Sequence, residues 1–285
     1  MHKLDFLEVG KIDQVPTAPR LYQKSCREAH AHFTYNVGLV AGLAVLPGFS
    51  FWAAQIWQEC STEAHRQIMG KHRKVPTHNQ DTMLRIGLRS RELMAREFNI
   101  SSDQQIDHLK ERTVTFEEVI SHSAYLHGVV ENLLKSICVQ MWGAFEVLCE
   151  DVLNGSLCSL PTIFGHVAPE DMKFRSRKAI RKSFTKAFAS DPKIDSILSD
   201  LRIDASAAIR NLLVHKAGVC DIDFLQDTRG CQTLTQYANI TPGTALKFDG
   251  PSTFAIVNPI VHLGHELLIA TDNWISSKLP SHPST

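Results

Sequence analysis

"AYLHGVVENLLKSICVQMWGAFEVLCEDVLN", residues 124–154, decides the fold class. Its apolar positions Val130, Leu133, Leu134, Ile137, Met141, Phe145, Leu148 and Val152 recur at spacings of three and four. That pattern is one face of a helix turning about 100° per residue. A helix of this length with one apolar stripe is the centre of a helical bundle. Asn154-Gly155 is the expected place for it to end.

The flanking sequence also reads as helix. Upstream, "WAAQIWQECSTEAHRQIMGKH" carries Ile56, Cys60, Ala64 and Ile68 at every fourth position, and Val75-Pro76 favours extended chain beyond it. "DTMLRIGLRSRELMAREF" predicts another helix with Asp81 as its N-cap. "NISSDQQIDHLKERTVT" is poor in large apolar residues and puts a boundary near residue 115, dividing an N-terminal helical region, 1–114, from a helical domain, 115–285. Downstream, a second long helix is expected from Ile194 to Lys216, entered after Asp191-Pro192 and closed at Gly218. In "GTALKFDGPSTFAIV", residues 243–257, Asp249-Gly250 lies between two β-prone runs and predicts a small hairpin. A final helix, "NPIVHLGHELLIATDNWISSKL", is expected to start with Asn258 as cap and Pro259 in its first turn. The expected fold is therefore all-α: a helical bundle with a small β-hairpin and an N-terminal helical extension.

Composition narrows the function classes. Thirty Lys+Arg against thirty Asp+Glu in 285 residues give no global positive field, so any nucleic-acid affinity must come from local clusters. Seven cysteines without a CxxC pair predict reduced thiols in a cytoplasmic protein. Asp5, Glu8 and Asp13 precede the first apolar run, which is unlike a secretory leader. GxxxxGK[ST], GxGxxG and GxSxG are all missing, which argues against a P-loop, a dinucleotide site and a serine-hydrolase elbow. From Phe33 to Gln58 there is no Asp, Glu, Lys or Arg, long enough to cross a bilayer. Pro47-Gly48 interrupts that run, and a buried hairpin broken at "LPGFS" explains the same residues in a soluble protein. The hairpin is the preferred reading, with membrane contact through residues 37–57 as its alternative.

One stretch carries candidate chemistry: "AAIRNLLVHKAG", residues 207–218. Asn211 and His215, four apart, share a helix face, and the long side chain of Arg210 reaches the same face. Arginine stays charged and forks onto two phosphate oxygens; histidine titrates near neutrality and moves protons; the amide of asparagine orients either partner. Phosphodiester cleavage needs about this set, without a metal or other cofactor. Cations near a helix C-terminus are also common simply because they complement the helix dipole.

A basic strip lies upstream. "KFRSRKAIRKSFTKAF", residues 173–188, carries seven basic residues. On a helix Arg177 aligns with Arg181 and Lys178 with Lys182, while Phe184 and Phe188 anchor another face. With Lys216, these cations could guide an RNA backbone, or they are a solvated face. Glu146 either buttresses Arg210 across a helix pair or faces water. His262, His265 and Glu266 resemble half of a metal site but lack the HExxH order and a third ligand; His30, His32, His122 and His127 are likewise unsupported. No metal is expected.

"IRNLLVHKAGVCD" resembles the signature of the HEPN family: arginine, a polar residue, three more positions and histidine on a late bundle helix, here Arg210, Asn211 and His215. The following "KAGVCD", with Gly218 and Asp221, is similar to the family's histidine-glycine-aspartate tail, and "MWGAFEVLCEDVL" is similar to its other core helix, with Trp142 and Glu146. The likeness covers roughly residues 115–280 and does not extend to the first 114. The resemblance implies a helical bundle that dimerises through its motif helices, so that two copies of the trio line one cleft. It implies a metal-independent RNA endonuclease in which the substrate's 2′-hydroxyl attacks the adjacent phosphate, leaving a cyclic phosphate. Many such proteins are bacterial toxins or antiphage effectors, some with an antitoxin or regulatory partner. Others bind RNA or nucleotides without cutting.

Overall fold

The computed structural model describes residues 2–17, 20–70, 80–98, 116–231, 234, 237 and 240–279. Its helices are α1 (Lys24–Met69), α2 (Gln80–Phe98), α3 (116–121), α4 (Ala124–Ser159), α5 (Pro161–Phe164), α6 (Arg177–Ala187), α7 (Pro192–Leu198), α8 (Leu201–His215), α9 (Ile222–Asp227) and α10 (Gly250–Lys278). Among the described residues no strand forms; a single antiparallel bridge joins Val219 to Ala245.

The chain divides into two units, residues 45–126 and residues 2–44 with 127–285. The expected boundary near residue 115, like the Val75-Pro76 step, lies outside the described residues. Residues 2–44 belong with the C-terminal unit, and the reason is long-range packing that no local pattern records. In the smaller unit, Trp52, Ile56 and Cys60 of α1 form a buried cluster against Leu93 and Met94 of α2. Asp81 lies within the first turn of α2 instead of capping it.

The larger unit is built on α4. Its predicted stripe is buried at Val130, Leu134, Ile137, Met141, Phe145, Leu148 and Val152. Each such side chain contributes about 1.5–3 kcal/mol by leaving water. The helix runs on through Asn154-Gly155 to Ser159 because Gly155 serves packing: a Cβ there would lie 2.9 Å from that of Ser25 in α1. At Gly264 of α10, a Cβ would meet the Phe33 ring of α1 at 2.6 Å and Leu148 of α4 at 3.0 Å. Three helices thus approach at that one glycine. An aromatic group from α5, α6 and α10 closes one end, with Phe188 stacked edge-on to Trp274 at 5.0 Å and to Phe164 at 5.6 Å.

Several local expectations are corrected. The run from Phe33 to Gln58 is one continuous helix with Pro47 inside it, so the hairpin at "LPGFS" does not form. A proline within a helix removes one hydrogen bond, which the rest of a long helix can outweigh. By length and composition α1 and α10 could each cross a membrane; 28% of the most apolar window of α1 is buried in protein, against 56% for α10. The helix expected from Ile194 to Lys216 is two, because Asp200 accepts the Arg202 N–H at 2.8 Å and restarts the chain as an N-cap. The hairpin at Asp249-Gly250 is replaced by the start of α10, where Asp249 and Ser252 cap each other reciprocally. Asn258 is consequently mid-helix, and Pro259 lies inside α10.

All seven cysteines are free thiols. Burial pushes Cys26 and Cys138 up to about 12, which makes both inert nucleophiles.

The N-terminal segment is tied to α10 through histidines. The Asp13 carboxylate accepts from Asn258 Nδ2 at 2.8 Å and meets His262 Nε2 at 2.7 Å, while the Asp13 N–H donates to Asn258 Oδ1 at 2.9 Å. The Asn258 and His262 bonds hold Asp13 below the usual carboxylate range. His30 of α1 meets the Pro16 carbonyl at 3.2 Å, and its ring lies 6.0 Å from that of His265. Burial, and then the neighbouring His30 and His262, push His265 down, opposed by Glu266. Its Nδ1 is buried without a hydrogen-bond partner among the described residues.

An imidazole held low in the fold binds its proton later than in the unfolded chain. Its contribution therefore disappears as pH falls through the ordinary histidine range of about 6.5. Asp13, held low as a carboxylate, loses its contribution only at lower pH, below about 4. His265→Phe should flatten the dependence of the urea midpoint on pH between 7.5 and 5.5, and Asp13→Asn the dependence below 4. Variants that track the wild-type curve in both windows would exclude this account.

Candidate functional site

Helix α8 is positioned from its buried side. Ile203, Ala205, Ile209 and Leu212 enter the core, and the Ser206 hydroxyl donates to the Ile256 carbonyl of α10 at 3.0 Å. Small residues at 205–208 allow α8 to lie close to α10. The helix ends at His215 and unwinds through Ala217 and Gly218, at φ 51° and 79°. Gly218 supplies the left-handed backbone there at little cost. The chain then pairs briefly with 243–246, the Cys220 N–H donating to the Thr244 carbonyl at 2.9 Å.

On the outer face of α8 the three candidate residues converge. Arg210 Nη1 donates to Asn211 Oδ1 at 3.2 Å and to His215 Nε2 at 3.4 Å. A guanidinium can only donate, so this contact gives Nε2 the acceptor role and leaves Nδ1 to carry the ring proton. Arg210 is half-buried, while Asn211 and His215 are exposed. Asn211 and His215 line a cleft of about 600 Å³ together with Lys216 and Lys178. Ala208, Leu212 and Phe224 give the cleft apolar surface, and the rest of its lining comes from α9 and its cap: Asp221, Asp223, Gln226 and Asp227.

The basic strip divides into two groups. Arg177 and Arg181 align on α6 as expected, but both turn to one carboxylate: Asp204 of α8 takes Arg177 at 3.2 Å and Arg181 at 2.6 Å. Arg177 also reaches Asp227 at 3.6 Å, and Arg181 donates to the Leu198 carbonyl at 2.5 Å. These two arginines therefore brace α6 against α7, α8 and α9. Burial pushes the Asp204 carboxyl up although both guanidiniums pull it down. Lys178 and Lys182 remain exposed, Lys178 at the cleft. Lys216 also faces Asp221, at 3.7 Å. Glu146 is half-buried, and among the described residues no hydrogen bond or ion pair joins it to Arg210.

Three further histidines named in the sequence have structural partners. His32 pairs with Asp151 at 2.9 Å, His122 with the Glu118 carbonyl at 2.6 Å and His127 with the His2 carbonyl at 2.9 Å. Among the described residues no three His, Cys, Asp or Glu side chains are grouped to hold a metal ion.

Sequence reasoning missed Asp204 and the α9 wall. The signal for Asp204 was present: Asp204, Ala208, Asn211 and His215 follow four-three-four spacing along one helical face. Short α9 had no such pattern. Compared with known proteins, the chain matches no family model, no curated protein and no solved structure.

Proposed function

We propose that this chain is a metal-independent RNA endonuclease of the HEPN type, acting as a pair of copies joined through α8 and serving as a toxin or antiphage effector. One observation carries the reading: the permanent cation of Arg210 lies within 3.4 Å of both an amide and an imidazole, Asn211 and His215, which themselves line an open cleft. A phosphate that enters becomes the acceptor for Arg210 in place of His215 Nε2, and the fork of the guanidinium matches two phosphate oxygens. That exchange frees the Nε2 lone pair, which accepts the proton of the adjacent 2′-hydroxyl. The 2′-oxygen attacks phosphorus, charge on the phosphate oxygens is stabilised by Arg210, and the bond to the 5′-oxygen breaks. A proton from water completes the leaving 5′-hydroxyl, the hydroxide so formed takes the proton back from His215, and the other fragment ends in a 2′,3′-cyclic phosphate. Asn211 fixes the guanidinium between these acceptors. Lys216 and Lys178 attract the flanking phosphates.

The mechanism takes its nucleophile from ribose, so the sugar is the test. In excess EDTA, RNA should be cut to cyclic-phosphate fragments while DNA of the same sequence stays whole. RNA that is bound but left uncut would overturn the catalytic reading in favour of a non-catalytic RNA- or nucleotide-binding protein.

A further inference from the structure

The lining of the cleft beside His215 combines two opposite chemistries. Lys178, Lys216 and Asn211 bring cations and an amide; α9 and its cap bring carboxylates and one amide. A phosphodiester chain would be repelled by the α9 side, so the phosphate must take the α8 side. Whatever part of the ligand reaches α9 cannot be anionic and has to offer hydrogen-bond donors, which in an RNA chain leaves the base.

The α9 wall narrows this further. Asp221 accepts the Phe224 N–H at 2.9 Å as helix cap and faces Lys216, and Asp227 is drawn to Arg177. Asp223 and Gln226, three apart and therefore on one helical face, are exposed, and their side chains make no hydrogen bond or ion pair among the described residues. The cleft therefore offers a ligand one free carboxylate and one free amide, beside the apolar surface of Leu212 and Phe224.

We infer, building on the nuclease reading, that this wall selects the base next to the attacked linkage and that the selected base is guanine. A carboxylate only accepts, through two oxygens. Guanine donates N1–H and N2–H in parallel to such a pair, and its neighbouring O6 accepts from an amide N–H₂, the group Gln226 supplies. Adenine and cytosine put a ring-nitrogen acceptor beside their single amino group, which would face the second carboxylate oxygen. Uracil flanks its one N–H with two carbonyls. A cleft of about 600 Å³ is within the ordinary size of a pocket for one small ligand.

The test uses the His215→Ala protein, so that binding is read without turnover, and fluorescein-labelled uridine hexamers of RNA with one central G, A, C or inosine. The G hexamer should bind about tenfold tighter than the A, C or all-U hexamers, the scale of one bidentate base contact. Inosine, which lacks the 2-amino group, should fall between. In the Asp223→Asn, His215→Ala double variant the preference should shrink to within about twofold, with all-U binding undiminished. Equal binding of all bases, binding of none, or a guanine preference that persists without the Asp223 carboxylate each overturns the inference. Wild-type protein on the same RNAs reports separately on the nuclease reading: cutting without base preference leaves catalysis standing and removes guanine selection, whereas guanine-selective binding without cutting does the reverse.

Discussion

Replacing His215 with alanine should lower RNA cleavage by about 10²–10⁴-fold, the usual contribution of a positioned proton carrier. The far-UV circular dichroism should be unchanged, because the side chain is exposed at the last residue of α8 and its hydrogen bond is to Arg210 alone among the described residues. Arg210→Lys tests the companion role. Lysine keeps the charge but not the planar fork, so it should also cut poorly although the field at the cleft is preserved. The pair separates chemistry from simple attraction of a polyanion: a binding site that works by charge alone would tolerate both changes. Undiminished cleavage by His215→Ala would remove the mechanism.

Gly250→Ala should destabilise the protein by about 3 kcal/mol or more, beyond the common cost of overpacking, and the urea midpoint measures it. Alanine suits a helix better than glycine by about 1 kcal/mol, so local propensity predicts the opposite sign. The obstacle is backbone: a Cβ at 250 would lie 1.9 Å from the Asp5 carbonyl oxygen and 3.1 Å from that of Phe6. The Gly250 N–H also donates to the Leu4 carbonyl at 2.6 Å. Relief requires the N-terminal segment to lift, and Leu4, Phe6 and Val9, each wholly buried, go with it. Gly264→Ala is a useful contrast, since its nearest neighbour is the edge of the Phe33 ring, a side chain that can rotate aside. A Gly250→Ala protein as stable as wild type, with residues 2–16 equally resistant to protease, would contradict this packing.

What could be read from the chain follows from which forces are local. The stripe of α4 was legible because one long helix writes its burial into its own spacing. Arg210, Asn211 and His215 were legible as a group for the same reason, lying within two turns of one helix. Asp249-Gly250 was misread because a turn dipeptide and a helix cap share the same letters, and what distinguishes them is the Leu4–Phe6 backbone arriving from the other end of the sequence. The fate of Arg177 and Arg181 was hidden similarly: their partner is 23 residues from Arg181, on another helix. Pro47 carried the wrong message because a breaker acts on a marginal helix, whereas α1 extends for 46 residues. The carboxylate wall of α9 came from a six-residue helix, too short to show any period.

Asp272, almost wholly buried in α10, accepts the backbone N–H groups of Tyr22 at 3.0 Å and Gln23 at 2.8 Å, immediately ahead of α1. The first long helix of the bundle is thus anchored by a carboxylate 250 residues later in the chain. At about 5–20 residues per second, a ribosome needs on the order of ten seconds or more to supply it. Through that interval Phe33, which packs beside Gly264 in the finished fold, has emerged without α10 to cover it, so the docking of the start of α1 waits on the last helix to be made.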